Sequence, residues 1–247
     1  MKLRFSYFLF GVSMLVAGSS CIKKDNYPGP NASLQGNLFQ DGTASKSNIQ
    51  TCTGNVTVRL EQLNWSSTAA PQDIPVKFDG SFENSQLFGG HYLVSIKGGA
   101  FWPVAPVEMD INKGSKLDFQ LTPYVVLSNL THEMSDSTTL VLHCDLQAPI
   151  DAGIPSVIDI IPYVNTTKIV GPGASIFDFS EGNQANPDLL HINKDWADLS
   201  AAQKSPTITI PNLIPGRTFF VRVGVRFNNN DKSSNLSEVI QIDVPKH

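Results

Sequence analysis

The side chains best suited to chemistry are few and scattered. His143 and Cys144 stand side by side in TTLVLHCDL and suggest a thiol–imidazole dyad. Their neighbours argue against it. Leu140, Leu142, Cys144 and Leu146 recur at every second position, the period of a half-buried strand, so the imidazole and the thiol point to opposite faces and Cys144 reads as a buried structural thiol. The five histidines, at 91, 132, 143, 191 and 247, show no ligand spacing, and no metal is expected. DINKGSKLD, from Asp110 to Asp118, places oxygens at alternate positions like a calcium loop, but it lacks the bidentate Glu at position twelve and its Asn-Lys-Gly suits a hairpin turn. The chain contains no G-x-S-x-G elbow, P-loop, G-x-G-x-x-G or H-E-x-x-H, so no catalytic residue and no cofactor is assigned. Carboxylate pairs for glycoside hydrolysis meet only in three dimensions and stay open as an alternative.

Binding chemistry has more material. The C–H faces of sugars stack on aromatic rings while their hydroxyls seek Asn, Asp and Gln, so exposed aromatics beside such residues are candidates. Phe101 and Trp102 lie in GGAFWPV between a Gly-Gly turn and a proline. Trp196 lies beside Asp195 and Asp198, and Trp65 follows Asn64 before a Ser-rich loop. These four are the candidate ligand-stacking residues. The competing reading packs each Trp on its own domain or at a domain junction.

The elements that would position them are strands. NVTVRLEQL alternates Val56, Val58 and Leu60 with polar residues; HYLVSIKG does so with Tyr92, Val94 and Ile96, and LDFQLT with Leu117, Phe119 and Leu121. Asp79-Gly80, Gly89-Gly90, Gly98-Gly99 and Lys113-Gly114 punctuate them as turns. The second half repeats the pattern in TTLVLHCDL, SVIDIIPYV, TITIPNL, FFVRVGVRF and EVIQIDV. Residues 172–206 break it, and NPDLLHINKDWADLSAAQK within them reads as a loop with one short helix. The expected fold is all-β: two tandem β-sandwich domains, residues 31–123 and 124–247, with an excursion at 172–206.

The N-terminus fixes an address. Lys2 and Arg4, an apolar stretch from Phe5 to Val16 and the small residues Ala17 to Ser20 have the three parts of a secretory signal, too short to span a bilayer. Cys21 follows directly. The expectation is a signal peptide at 1–20, a diacylglycerol on Cys21 and a tether to Pro30; the alternative is an ordinary cleaved signal in which Cys21 is incidental. The segment resembles a bacterial lipoprotein signal, and Lys23, Lys24 and Asp25 resemble the charged signals that send such lipoproteins to the cell surface; the resemblance implies a protein of the outer membrane, lipid-anchored and facing outward. The formal charge of −4 leaves no electrostatic footprint for nucleic acid. Of three cysteines, Cys52 and Cys144 fall in different domains, as thiols or as an inter-domain bridge. Six N-x-[ST] sequons begin at Asn31, Asn55, Asn64, Asn129, Asn165 and Asn235, and behind a bacterial signal they indicate polar loops. The triplet Asp136-Ser137-Thr138 resembles the short O-glycosylation motif of exported Bacteroidetes proteins.

Longer stretches carry family resemblances. Gly36 early in the first strand, Asp79-Gly80 followed by Phe82, and Gly90-x-Tyr92 resemble the carboxypeptidase regulatory-like domain, a transthyretin-like sandwich. In the second half Leu213, Pro215 and Gly216 at a corner, then Val221-Arg222-Val223 and Ser237, resemble the last strands of a fibronectin type III domain, except that Phe219 stands where the corner tyrosine would and the usual early Trp is missing. The whole chain resembles a Bacteroidetes family of two-domain lipoproteins of unknown function, found among starch-utilisation-like glycan uptake systems. That resemblance implies a non-catalytic role beside glycan capture or in assembly with an outer-membrane transporter and glycan-binding lipoproteins, and no residue-level mechanism. An adhesion or structural sandwich protein without a carbohydrate ligand is the alternative.

Overall fold

The computed structural model describes residues 28–41, 47–52, 54–64, 66, 68–177 and 186–246. The first sandwich holds strands β1 (Ala32–Gln40), β2 (Val56–Gln62), β3 (Gln72–Pro75), β4 (Ser81–Leu87), β5 (Gly90–Gly98), β6 (Val107–Ile111), β7 (Ser115–Lys116) and β8 (Phe119–Leu121). One sheet runs β3-β2-β5-β6 and is antiparallel throughout. In the other, β4 pairs antiparallel with β1, while β7 and β8 run parallel to it.

Gly36 is explained by that crossing. A Cβ there would lie 1.7 Å from the Leu117 carbonyl oxygen, so only glycine lets the chain between β7 and β8 approach β1. The Asp79-Gly80 turn is set by Gly80 at φ +79° and by the Asp79 carboxylate, which accepts from the Ser81 N–H and hydroxyl. Leu34, Leu38, Val58, Phe82, Val94 and Ile111 fill the core between the sheets.

The second sandwich holds β9 (Val126–Met134), β10 (Leu140–Gln147), β11 (Val157–Asn165), β12 (Thr207–Ile210), β13 (Thr218–Phe227), β14 (Ser234–Leu236) and β15 (Ile240–Asp243). Three strands, ordered β12-β10-β9, face four, in which β11, β14 and β15 all pair with β13. This is the three-on-four fibronectin type III-like arrangement. Phe219, at the corner position, is buried in the core with Leu140, Leu142, Val221, Val223 and Phe227. Among the described residues, strands up to Leu121 pair only among themselves, as do those from Val126 onward.

The chain between β11 and β12 forms the excursion. Its described part has two single 3-10 turns, Pro187–Leu189 and Trp196–Asp198, and one helix, α1 (Ala201–Lys204), where a single short helix was expected. Ser200 and Gln203 cap α1 reciprocally. Leu189, Ile192, Trp196 and Leu199 turn inward and join the second core, which pins the excursion to the sandwich. Among the described residues no helix is long and apolar enough to cross a membrane.

Candidate functional site

The structure does not gather the three described aromatic candidates, Phe101, Trp102 and Trp196, onto one surface. Phe101 is 8% exposed and packs in the first core. Trp102, the next residue, turns the other way and packs half-buried against the second core, edge-on to Tyr124 with ring centroids 5.4 Å apart. The Gly-Gly turn preceding them lies at the junction of the sandwiches, where Asn229 Nδ2 donates to the Gly99 carbonyl, so the two rings pack into different cores. Trp196 is 6% exposed; its indole N–H donates to Asp151 Oδ1 at 3.2 Å and the Lys204 ammonium sits 5.0 Å from its ring centroid. Neither Phe101 nor Trp196 therefore offers a face to a ligand. Trp65 and Cys21 lie outside the described residues.

The remaining sequence candidates separate in the same direct way. Cys144 is fully buried, and burial pushes its thiol up to about 12, so it is chemically inert at neutral pH. Cys52 and Cys144 are both thiols rather than a bridge, the first at the domain junction and the second in a core. In DINKGSKLD the carboxylates diverge: Asp110 meets His91 Nδ1 at 2.9 Å, while Asp118 accepts from the Asn37 N–H. Glu108 approaches the other ring nitrogen of His91 at 3.6 Å, and a carboxylate on each side of one imidazole does not converge on a cation.

The structure builds a polar site where the excursion returns to β12. A cleft of about 560 Å³ opens between Asp188, Lys194, Ser200, Gln203, Ser205 and Thr207. Ser205 and Thr207 also reach β10. The Ser205 hydroxyl donates to Asp145 Oδ1 at 2.6 Å and lies 3.4 Å from His143 Nε2; Thr207 Oγ1 lies 3.4 Å from His143 Nδ1. On the far side Asn129 Nδ2 donates to Asp145 Oδ2 at 2.7 Å. Strand alternation places His143 and Asp145 on the outer face of the three-stranded sheet, and antiparallel register brings Thr131 and Thr207 beside His143.

Serine, histidine and aspartate thus meet, but not as a catalytic triad. In a triad the imidazole stands between the hydroxyl and the carboxylate, which orients its far nitrogen. Here Asp145 accepts the serine hydroxyl's hydrogen bond directly and a threonine faces Nδ1, so no carboxylate orients the imidazole as a base for Ser205. Hydrogen bonds from Asn129 and Ser205 also hold the Asp145 carboxyl below the usual carboxylate range. A glycosidase general acid needs the opposite shift. The arrangement can hydrogen-bond a polyhydroxy ligand and has no geometry for breaking its bonds.

A second constellation, invisible in the sequence reading, holds the domains together. Asn235, read as a sequon, is buried; its amide donates to the Ala100 carbonyl and its oxygen accepts from the Val125 N–H, both at 2.8 Å. Ser237 of the same triplet accepts from the Val223 N–H. A cleft of about 410 Å³ runs along this seam, but Asn48, Gln50, Asn129 and Asn235 on its walls already spend hydrogen bonds on protein partners. One sequence signal existed for this joint: in FFVRVGVRF the face opposite the valines carries Arg222 and Gly224, a charged and a bare position expected of a surface that something approaches closely.

The fold of the first half has a name. Residues 32–122 match the family described as protein of unknown function (DUF3823), N-terminal domain. The first sandwich is similar to that N-terminal domain. Solved structures extend the likeness across both sandwiches. A "putative carbohydrate binding protein" from Bacteroides uniformis superposes with TM-score 0.67 at 18% identity, covering 87% of this chain and all of that one. DUF3823 family proteins from Bacteroides uniformis and Parabacteroides merdae both superpose with TM-score 0.66, at 21% and 16% identity and with the same coverage. Identities of this order show a shared two-sandwich fold. No protein of curated function matches the chain.

Proposed function

We propose that this protein is a non-catalytic lipoprotein of the outer membrane, anchored through Cys21 and facing outward, that takes part in glycan capture beside an outer-membrane transporter and its glycan-binding lipoproteins. The observation that carries the glycan reading is the fixed polar face at His143, Asp145, Ser205 and Thr207 beside the excursion cleft. Carboxylate, imidazole and hydroxyls at mutual hydrogen-bond distance match the alternating donors and acceptors of a sugar ring edge, and an ionised, pre-oriented Asp145 loses little freedom on binding. The fold it shares with the carbohydrate-binding candidate from Bacteroides uniformis supports the same direction. Recognition then works through hydroxyl edges rather than by stacking on Trp102 or Trp196.

The test is affinity electrophoresis of the chain from Ile22 onward through gels of neutral polysaccharides. Retention that disappears in Asp145→Ala and His143→Ala is the expected result. Retention untouched by both substitutions would place the ligand elsewhere, and no retention on any glycan would move the role to assembly of the uptake complex. The anchor is tested separately: a clickable palmitate analogue should label the wild-type chain and not Cys21→Ala, and an unlabelled wild type would overturn it. With the lipid at Cys21, residues 22–30 allow the first strand to stand up to roughly 30 Å from the bilayer.

A further inference from the structure

Alternation along β13 sends Phe219, Val221, Val223, Val225 and Phe227 into the second core and leaves Arg222, Gly224 and Arg226 on the outer face. An outward arginine ordinarily carries its head to water. Arg222 is instead fully buried, because residues 50–52 of the first sandwich and Val170, in the chain that follows β11, cover it. Its Nε and Nη2 donate to the Ser237 carbonyl at 2.9 and 2.6 Å, Nη1 to the carbonyls of Thr51 at 2.9 Å and Val170 at 3.3 Å, and Nη2 also to Gln50 Oε1 at 3.1 Å. Every one of these acceptors is neutral. The nearby carboxylate of Asp159 is taken by Arg226.

That choice of partners has a mechanical meaning. A guanidinium paired with a carboxylate of its own domain would keep its strongest bond if the domains parted. Arg222 has acceptors from three segments, and the set is complete only when both sandwiches are docked. The far end of the contact is itself stiff: the Thr51 N–H donates to the Phe78 carbonyl at 3.1 Å and its hydroxyl to the Lys77 carbonyl at 2.6 Å, tying it to the turn between β3 and β4. Beside it the Cys52 thiol reaches the Pro172 carbonyl at 3.3 Å, and Asn235 bridges the two domains a strand away. We infer that Arg222 is a clasp joining the two sandwiches into one rigid, cooperatively folding body. The short connection between β8 and β9 alone would leave them free to swing.

Calorimetry of the chain from Ile22 onward tests this. The wild type is expected to melt in a single transition, and Arg222→Met, which keeps length and loses every donor, in two. Arg226→Met, which breaks only an ion pair inside the second sandwich, should keep the single transition. Arg222→Met melting in one transition like Arg226→Met would overturn the clasp. Should Arg222→Met not fold, the wild-type sequence decides: spin labels on Glu83→Cys and Lys194→Cys, one exposed site on each sandwich, should give one narrow distance distribution. A broad distribution would mean independent domains and would overturn the inference.

Discussion

The two outer faces of the second sandwich arise from the same alternation and meet different fates. On β10 the outward residues His143 and Asp145 stay in contact with water, arranged with Ser205, Thr207 and Asn129. On β13 the outward Arg222 and Gly224 are sealed beneath the first sandwich and the chain after β11, in a small cluster with Cys52, Tyr163, Val170 and Leu236. Burial pushes the Tyr163 phenol up to about 12 and pulls Arg222 down to about 10, while on the open face Asp145 is shifted by hydrogen bonds and remains an ionised surface group. The lesson is that an outward strand position is only locally outward. Whether it meets solvent, and so whether it is available for binding, depends on what the rest of the chain lays over it.

The covered face should respond most. Gly224→Val places a Cβ 2.6 Å from the Tyr163 ring and 2.9 Å from the Leu236 side chain, both confined under the first domain, and is expected to cost about 3 kcal/mol by chemical denaturation. A variant as stable as wild type would show that the face is loosely covered. Asp159→Asn removes the charge that accepts from Arg226 at the rim of the same face, where Asp159 is buried and Arg226 partly exposed; a loss of about 2 kcal/mol is expected in the same assay.

The open face should behave in the opposite way. Asp145→Asn is expected to leave the melting temperature nearly unchanged while reducing retention on whichever polysaccharide binds, and a variant that melts early would show the polar cluster to be structural. Smallest of all is a pH effect on the outer face of the first sandwich. There the hydrogen bond to Asp110, and then Glu108, raises the His91 imidazole above its ordinary value. Because the folded value exceeds the unfolded one, the contribution is fully present below about pH 6.5 and is lost as pH rises through the folded value. His91→Gln should therefore narrow its stability gap to wild type as melts are repeated at higher pH. A gap that widened instead would contradict the geometry.

Legibility followed the range of the forces involved. Val56, Val58 and Leu60, and Leu140, Leu142, Cys144 and Leu146, are buried in the alternation their sequence shows, since one strand pressed on one core needs no further information. Ile96 and Leu117 are only partly buried, because each lies toward the end of its strand or between strands. Asn235 was unreadable: the triplet that marks a loop sequon is here an amide standing in for a missing strand partner between Ala100 and Val125. The polar site was half readable, in that His143 could be placed outward on β10, yet Ser205 reaches Asp145 from 60 residues away and only the return of the excursion brings them together.

The sequence alone determined the all-β class, the two-sandwich order, the glycines at Gly36 and Gly80 and the opposite facing of His143 and Cys144, because period and turn chemistry act over a few residues. Tertiary structure decided the rest. It hid Phe101 and Trp196, packed Trp102 against the second core, turned Arg222 from a surface residue into an interior one and brought a serine, a histidine and an aspartate into hydrogen-bond contact on one face. Each of those outcomes depends on segments distant in sequence pressing together, and no local pattern encodes which face they will cover.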